Sequence, residues 1–128
     1  MAIHGIDHYN LRGSREVIEE LKDFYQRVLG LQVGPRPGFA SRGYLLYADD
    51  LPLLHLSEMA AGEHRPPNTA GTFDHVAFAC HNLDDFEAVL KAHEIPYTLD
   101  TIPGLGNRQM FFTDPAGNGI ELNLAPEA

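Results

Sequence analysis

The sequence predicts an α+β fold of two βαβββ modules whose mixed sheets curve around a cleft. Three observations lead there. Strand-like and helix-like periodicities follow one another in the same order twice along the 128 residues. An Asp-His pair inside the apolar stretch "GIDHYNL" returns 67 residues later, as His75 for His8, in "TFDHVAF". Arg42 and Arg108 are 66 apart, as are His55 and Glu121, so each Arg precedes its downstream partner by 13. A period of this kind implies two equivalent modules, with like positions related by a pseudo-twofold axis. The length suits one domain. Within it the first module covers about residues 1–57, a joint about 58–71, and the second module about 72–126.

The elements follow in order. "IDHYNL" (6–11) reads as a strand. From Ser14 to Leu29 a helix is expected, because Val17, Ile18, Leu21, Phe24, Tyr25, Val28 and Leu29 recur at helical spacing. Ser14 can cap its start, and Gly30 stands where a left-handed residue would end it. "LQVGPRP" (31–37), "RGYLLYA" (42–48) and "LPLLHLS" (51–57) are short strands between Gly, Pro and Asp turn signals. After the polar, proline-bearing joint the order restarts with "FDHVAFA" (73–79). A second helix carries Leu83, Phe86, Val89 and Leu90, with Asn82 as cap, Asp85 as its capping-box partner, and Pro96 as the stop. "YTLDTI" (97–102), "RQMFFT" (108–113) and "GIELNLA" (119–125) complete the second module.

Composition removes several function classes. Nine Lys/Arg against eighteen Asp/Glu leave a net charge of −9, so neither nucleic acid nor an anionic membrane is an expected partner. A local basic spot could still hold a small anion. No apolar run approaches the roughly 18 residues that span a bilayer. The start "MAIHGIDHYN" lacks the basic-then-apolar order of a signal peptide. Cys80, the single cysteine, excludes an internal disulfide, fits a reducing cytoplasm, and reads as core filler within "VAFAC".

Strand alternation then groups the polar residues. His8 shares a face with Asn10, and His75 with the small residues Ala77 and Ala79. Glu121 shares a face with Asn123, against the apolar set Ile120, Leu122 and Leu124; His55 alternates with Leu54 and Leu56. With helices on the apolar faces, the opposite faces can form a cleft holding His8, His55, His75, Glu121, Asn10 and Asn123. A lone strand histidine is more often a core residue than a ligand, but duplication reverses that reading for His8, His75 and Glu121. Two neutral imidazoles and a carboxylate would make a site for a divalent ion such as Fe, Mn, Ni, Co or Zn. A dication would also offset the cost of desolvating the carboxylate.

"IDHYNL", "LKDFYQRVLGLQV", "FDHVAFAC" and above all "MFFTDPAGNGIELN" (110–123) resemble the vicinal oxygen chelate superfamily, of glyoxalase, bleomycin-resistance and extradiol-dioxygenase type. The resemblance spans essentially the whole chain. It implies metal ligands on the first strand of each module and a glutamate on the last strand of the second, which map onto His8, His75 and Glu121. Members of glyoxalase I and methylmalonyl-CoA epimerase type take a fourth ligand at the position of His55. Fosfomycin-resistance enzymes and extradiol dioxygenases use three, which would leave His55 as a catalytic base or a pocket residue. Bleomycin-binding relatives lack the metal set that this sequence retains.

The expected function is therefore a divalent-metal-dependent lyase or isomerase acting on a small metabolite with vicinal oxygens. The alternatives are an extradiol-type dioxygenase using Fe(II) and O₂, and a resistance protein that sequesters a small molecule without turnover. Arg108, after the "PGLGN" turn, is the candidate contact for a substrate anion, and Tyr97 and Phe112 are candidate pocket walls. A cytoplasmic homodimer is expected, its site built within one chain or across two.

Overall fold

A computed structural model describes residues 1–126. The chain forms two compact units, Met1–Pro67 and the residues from Asn68 onward. Unit 1 contains β1 (Tyr9–Gly13), α1 (Arg15–Arg27), β2 (Gln32–Gly34), β3 (Gly43–Ala48) and β4 (Leu51–Glu58). Unit 2 contains β5 (His75–Cys80), α2 (Leu83–Ala92), β6 (Thr98–Thr101), β7 (Arg108–Thr113) and β8 (Gly119–Leu124). The sheets have the same topology, β1-β4-β3-β2 and β5-β8-β7-β6, with the first strand parallel to the last and the other pairs antiparallel.

The duplication extends to the hydrogen-bond register. Asn10 pairs with His55 in unit 1, and Ala77 pairs with Glu121 in unit 2. These are the same positions once the 67- and 66-residue shifts are applied.

In unit 1, α1 begins as expected: the Ser14 hydroxyl accepts from the Val17 N–H at 3.2 Å. Its apolar stripe buries Ile18, Leu21, Tyr25 and Val28. Leu46, Leu54 and Leu56 are fully buried on the strands. Gly30 adopts φ +72°, the left-handed turn that releases the chain into β2. In unit 2 the buried set is Leu90 with Met110, Phe112, Ile120, Leu122 and Leu124. No helix among the described residues is long and apolar enough to cross a membrane.

Three expectations need correction. The first strand of each unit starts later than the apolar pattern suggests, at Tyr9 and His75, so His8 precedes its strand and His75 opens one. β8 begins at Gly119, the partner of His75, and gives β5 nothing earlier to pair with. In unit 1 the opposite strand opens with Leu51-Pro52, and Pro52 has no N–H to donate. Asn82 does not cap α2 through its side chain. Its backbone is left-handed (φ +76°), and its Nδ2 instead donates to Asp85 Oδ2 at 2.7 Å. The acidic first turn, Asp84 and Asp85, complements the helix dipole instead. Finally, α2 stops at Ala92 through a left-handed turn at Glu94, with Ile95 N–H donating to Leu90 O at 2.9 Å, before Pro96 is reached.

The "DPAGN" turn has a direct structural role. The buried Asp114 carboxylate accepts from the backbone N–H of Ala116 (2.9 Å) and Asn118 (3.0 Å) and from Asn118 Nδ2. It thereby sets the β7–β8 register that carries Glu121. Asp114→Ala would leave these donors without their acceptor, and is expected to destabilise the protein by about 2–4 kcal/mol in chemical denaturation.

Candidate functional site

In unit 1, pairing of β1 with β4 sets Asn10 beside His55 and Arg12 beside Ser57. Leu54 and Leu56 point the other way, into the core under α1. His8 lies just before β1, and its ring stacks on His55 with centroids 3.7 Å apart and planes within 8°. His8 Nδ1 meets Asp7 Oδ1 at 2.6 Å, so the carboxylate holds the Nδ1 proton and leaves Nε2 available. His55 is oriented the opposite way. Its Nε2 lies 3.0 Å from the Pro52 carbonyl, which can only accept, so Nε2 carries the proton and Nδ1 the lone pair. Burial, reinforced by the neighbouring His8, pushes the His55 pKa down and keeps the ring neutral.

The same face carries a polar row. Ser57 Oγ donates to Asn10 Oδ1 at 2.9 Å, and Arg12 Nη1 donates to Ser57 Oγ at 3.3 Å. Arg12 also grips Glu63 through Nε (3.0 Å) and Nη2 (2.5 Å), while Glu63 accepts from Ala60 N–H and Arg65 Nε. Arg12 above all, with these other donors, holds the Glu63 carboxyl far below the ordinary carboxylate range.

In unit 2, His75 opens β5 opposite Gly119, and Glu121 follows two residues along β8. A Cβ on Gly119 would come within 2.3 Å of the Asp74 carbonyl, so glycine permits the close approach of the two strands. His75 Nδ1 meets Asp74 Oδ2 at 2.8 Å, and Nε2 lies 3.2 Å from Glu121 Oε1. The Asp74 carboxylate raises the His75 pKa, with Glu121 adding to it, against partial desolvation. Gln109 Nε2 donates to the other Glu121 oxygen at 3.3 Å, and Phe111 stands edge-on to His75 with centroids 6.0 Å apart. Asn123 Oδ1 accepts from Asn107 Nδ2 at 2.8 Å. A cavity of about 620 Å³ adjoins His75, walled by Phe73, Phe111 and Phe112.

The structure thus pairs His8 with His55, near Asn10, and His75 with Glu121, on the face that carries Asn123. Among the described residues, no group of three or more His, Cys, Asp or Glu side chains is gathered that could hold a metal ion. Arg108 and Tyr97 are not brought to these pairs. Arg108 is opposite Leu124 and shares a face with Met110 and Phe112, whereas Glu121 is opposite Phe111. The Tyr97 hydroxyl is spent on Glu87 of α2, at 2.5 Å. Phe112 lies on the same apolar side as Ile120, although it borders the cavity. Sequence reading missed Gln109 and Phe111, which counting back from Glu121 through the β7–β8 turn would have found. It also missed Arg12 and Ser57, which alternate with Asn10 and His55. Glu63, in the joint, carries no local signal.

A sequence model of the Glyoxalase/Bleomycin resistance protein/Dioxygenase superfamily matches residues 5–122. No curated protein sequence matches the chain. Among solved structures, a glyoxalase/dioxygenase from Nostoc punctiforme is similar at TM-score 0.71 and 20% identity, covering 96% of this chain and 92% of that one. Lactoylglutathione lyase from Agrobacterium tumefaciens gives TM-score 0.67 and 20% identity, covering 97% and 96%. A glyoxalase family protein from Enterococcus faecalis gives 0.64 and 24%, covering 93% and 96%. At these identities the likeness is one of fold.

The two imidazoles should titrate on opposite sides of the ordinary histidine pKa of about 6.5. In metal-free protein, NMR titration should find His75 above it and His55 below it. Asp74→Asn should lower the His75 value and leave His55 in place. By linkage, His75 stabilises the fold below the unfolded-state pKa, and that contribution is lost as pH rises through its folded value. His55 acts in the opposite sense: it costs stability as pH falls below its unfolded-state value.

Proposed function

The chain belongs to the Glyoxalase/Bleomycin resistance protein/Dioxygenase superfamily, and from that premise we propose a divalent-metal-dependent lyase or isomerase acting on a small metabolite with vicinal oxygens. The observation that carries this reading is the Asp-His pair present in both units. In each, Nδ1–H donates to the preceding carboxylate, which fixes the tautomer and directs the basic Nε2 away from the aspartate. In unit 2 that nitrogen faces Glu121, only 6% exposed, across 3.2 Å. A buried carboxylate beside an imidazole has the donor chemistry of a cation site.

In this reading His8, His75 and Glu121, a set not gathered among the described residues, would be completed around the ion on binding or by a second chain, with His55 as catalytic base or fourth ligand. The nitrogen and oxygen donors suit Fe, Mn, Ni, Co or Zn. Once bound, such an ion would supply Lewis acidity toward two neighbouring substrate oxygens and stabilise negative charge developing there. The protein's own groups set the rest. Gln109 holds the second Glu121 oxygen, fixing the carboxylate. His55, neutral and with Nε2 engaged by Pro52, can receive a substrate proton at Nδ1. Asn10, Asn123 and the aromatic walls Phe73 and Phe111 would orient the substrate. The part-buried Cys80, its thiol pushed up to about 11 by desolvation, is a poor nucleophile and takes no part in this chemistry. The reading extends to a cytoplasmic protein and to a homodimer.

Metal analysis of the purified protein, with turnover assays on vicinal hydroxycarbonyl compounds, tests the proposal. Bound metal is expected in wild type, with a loss of both metal and turnover in His75→Ala and Glu121→Gln. Asp74→Asn should weaken metal affinity by roughly 10–100-fold. Metal-free protein whose small-molecule binding survives His75→Ala would establish sequestration instead. Ferrous-dependent oxygen consumption on catechols would establish ring cleavage.

A further inference from the structure

We propose that unit 1 carries a second small-molecule site, for a compact oxyanion, between the start of α1 and the loop joining β2 to β3. A cavity of about 410 Å³ lies there, with Arg15, Arg36, Arg42, Phe39, Glu19 and Glu58 among its walls. Ile18 and Tyr44 also line it, which places it on the α1 side of the sheet, the face opposite His55. The volume is that of a small-metabolite pocket.

The charge in this cavity is unusual for the chain. Three of nine basic residues meet in one cavity of a protein with eighteen acidic ones. Arg12 and Arg65 are consumed by Glu63. Arg15, Arg36 and Arg42 form no ion pair among the described residues. The Arg36 fork is held in place without being neutralised. Its Nη1 donates to the Ser41 carbonyl at 2.8 Å, its Nη2 reaches Ser41 Oγ at 3.3 Å, and its guanidinium lies 4.9 Å over the Phe39 ring. Its Nε is buried with no hydrogen-bond partner.

The two acidic walls do not cancel this charge. Glu19 is engaged by the Tyr44 hydroxyl and by Lys22, whose ammonium is 3.1 Å away. Glu19 also feels Arg15, so Glu58 and part of the Glu19 charge stand against three guanidinium groups, which leaves the balance positive. Planar guanidinium forks match carboxylate and phosphate oxygens, and the half-exposed Phe39 offers a surface for a flat organic group beside the anion.

The repeat supplies an internal control. In unit 2 the matching loop (102–107) has no basic residue, α2 opens on Leu83 rather than an arginine, and only Arg108 answers to Arg42. The scaffold therefore does not require this cluster.

The test uses the full chain, free of metal, at low ionic strength. Inorganic phosphate and benzoate are titrated separately and followed by calorimetry and by backbone and arginine Nε NMR signals. Saturable shifts centred on Arg15, Arg36, Phe39 and Arg42 are expected, with chloride at equal ionic strength producing none. Arg42→Ala and Arg15→Ala, both at exposed positions, should each weaken binding at least tenfold while the melting curve stays unchanged. Preference between phosphate and benzoate identifies whether the natural anion is a phosphate or a carboxylate. Absence of saturation by either probe overturns the proposal, as does wild-type affinity in both variants. Shifts that centre on His75 and vanish in Glu121→Gln also overturn it, since they would put the anion at the histidine–glutamate pair.

Discussion

In each unit the first strand lies parallel to the last, and this pairing determines which side chains can meet. A hairpin cannot make such a pair, because the chain must leave the first strand, cross by a helix, and return through two further strands before closing the ladder. Residues far apart in sequence, such as Asn10 and His55 or Ala77 and Glu121, thereby become neighbours. The antiparallel partners β3 and β7 then bring Leu45 to His55 and Phe111 to Glu121. Pleating does the remaining sorting: leucines go beneath the helix in unit 1, and donors and acceptors go to the other face.

That sorting places costly groups where they can be compensated. Glu121 is nearly buried, and an isolated carboxylate there would lose most of its hydration. His75 and Gln109 approach its two oxygens, and Asp74 in turn supports His75. In unit 1 the compensation runs laterally from Asn10 through Ser57 and Arg12 to Glu63, which ties the joint to the first strand. The unit 2 network orients His75 toward one carboxylate, whereas in unit 1 the imidazoles are set separately, His8 by Asp7 and His55 by the Pro52 carbonyl.

Much of this was legible in the sequence, because periodicity and duplication are local or additive signals. Both βαβββ orders, the Ser14 cap and the Gly30 turn follow from short stretches whose physics is self-contained. The failures share one cause, dependence on a partner strand. Placing Arg108 at the cleft rests on the turn before it and on its strand, and leaves out its parity along that strand. Its true ladder partner is Leu124, which turns it to the apolar side. The start of β5 depended on where β8 begins. Asn82 has a suitable side chain for a cap, but it sits in a left-handed backbone that the sequence does not declare. Glu63 binds Arg12 across fifty-one residues, beyond any periodic pattern.

The duplication also separates what the scaffold requires from what each unit has been adapted to do. Where unit 1 has Asn10 and Arg12, unit 2 has Ala77 and Ala79; where unit 1 has His55 and Ser57, unit 2 has Glu121 and Asn123. The backbone pairing is the same, so these substitutions are free of fold constraints. Trading an amide and a guanidinium for two methyl groups leaves the sheet face beyond His75 without hydrogen-bonding side chains on β5, while the cavity of about 620 Å³ lies at the other end of the strand, around Phe73, Asp74 and His75. The reverse trade in unit 1 fills the face with hydrogen bonds among Asn10, Ser57 and Arg12, and the Pro52 carbonyl separately leaves His55 proton-accepting at a single nitrogen. Unit 2 therefore offers space and a carboxylate, and unit 1 offers oriented nitrogen.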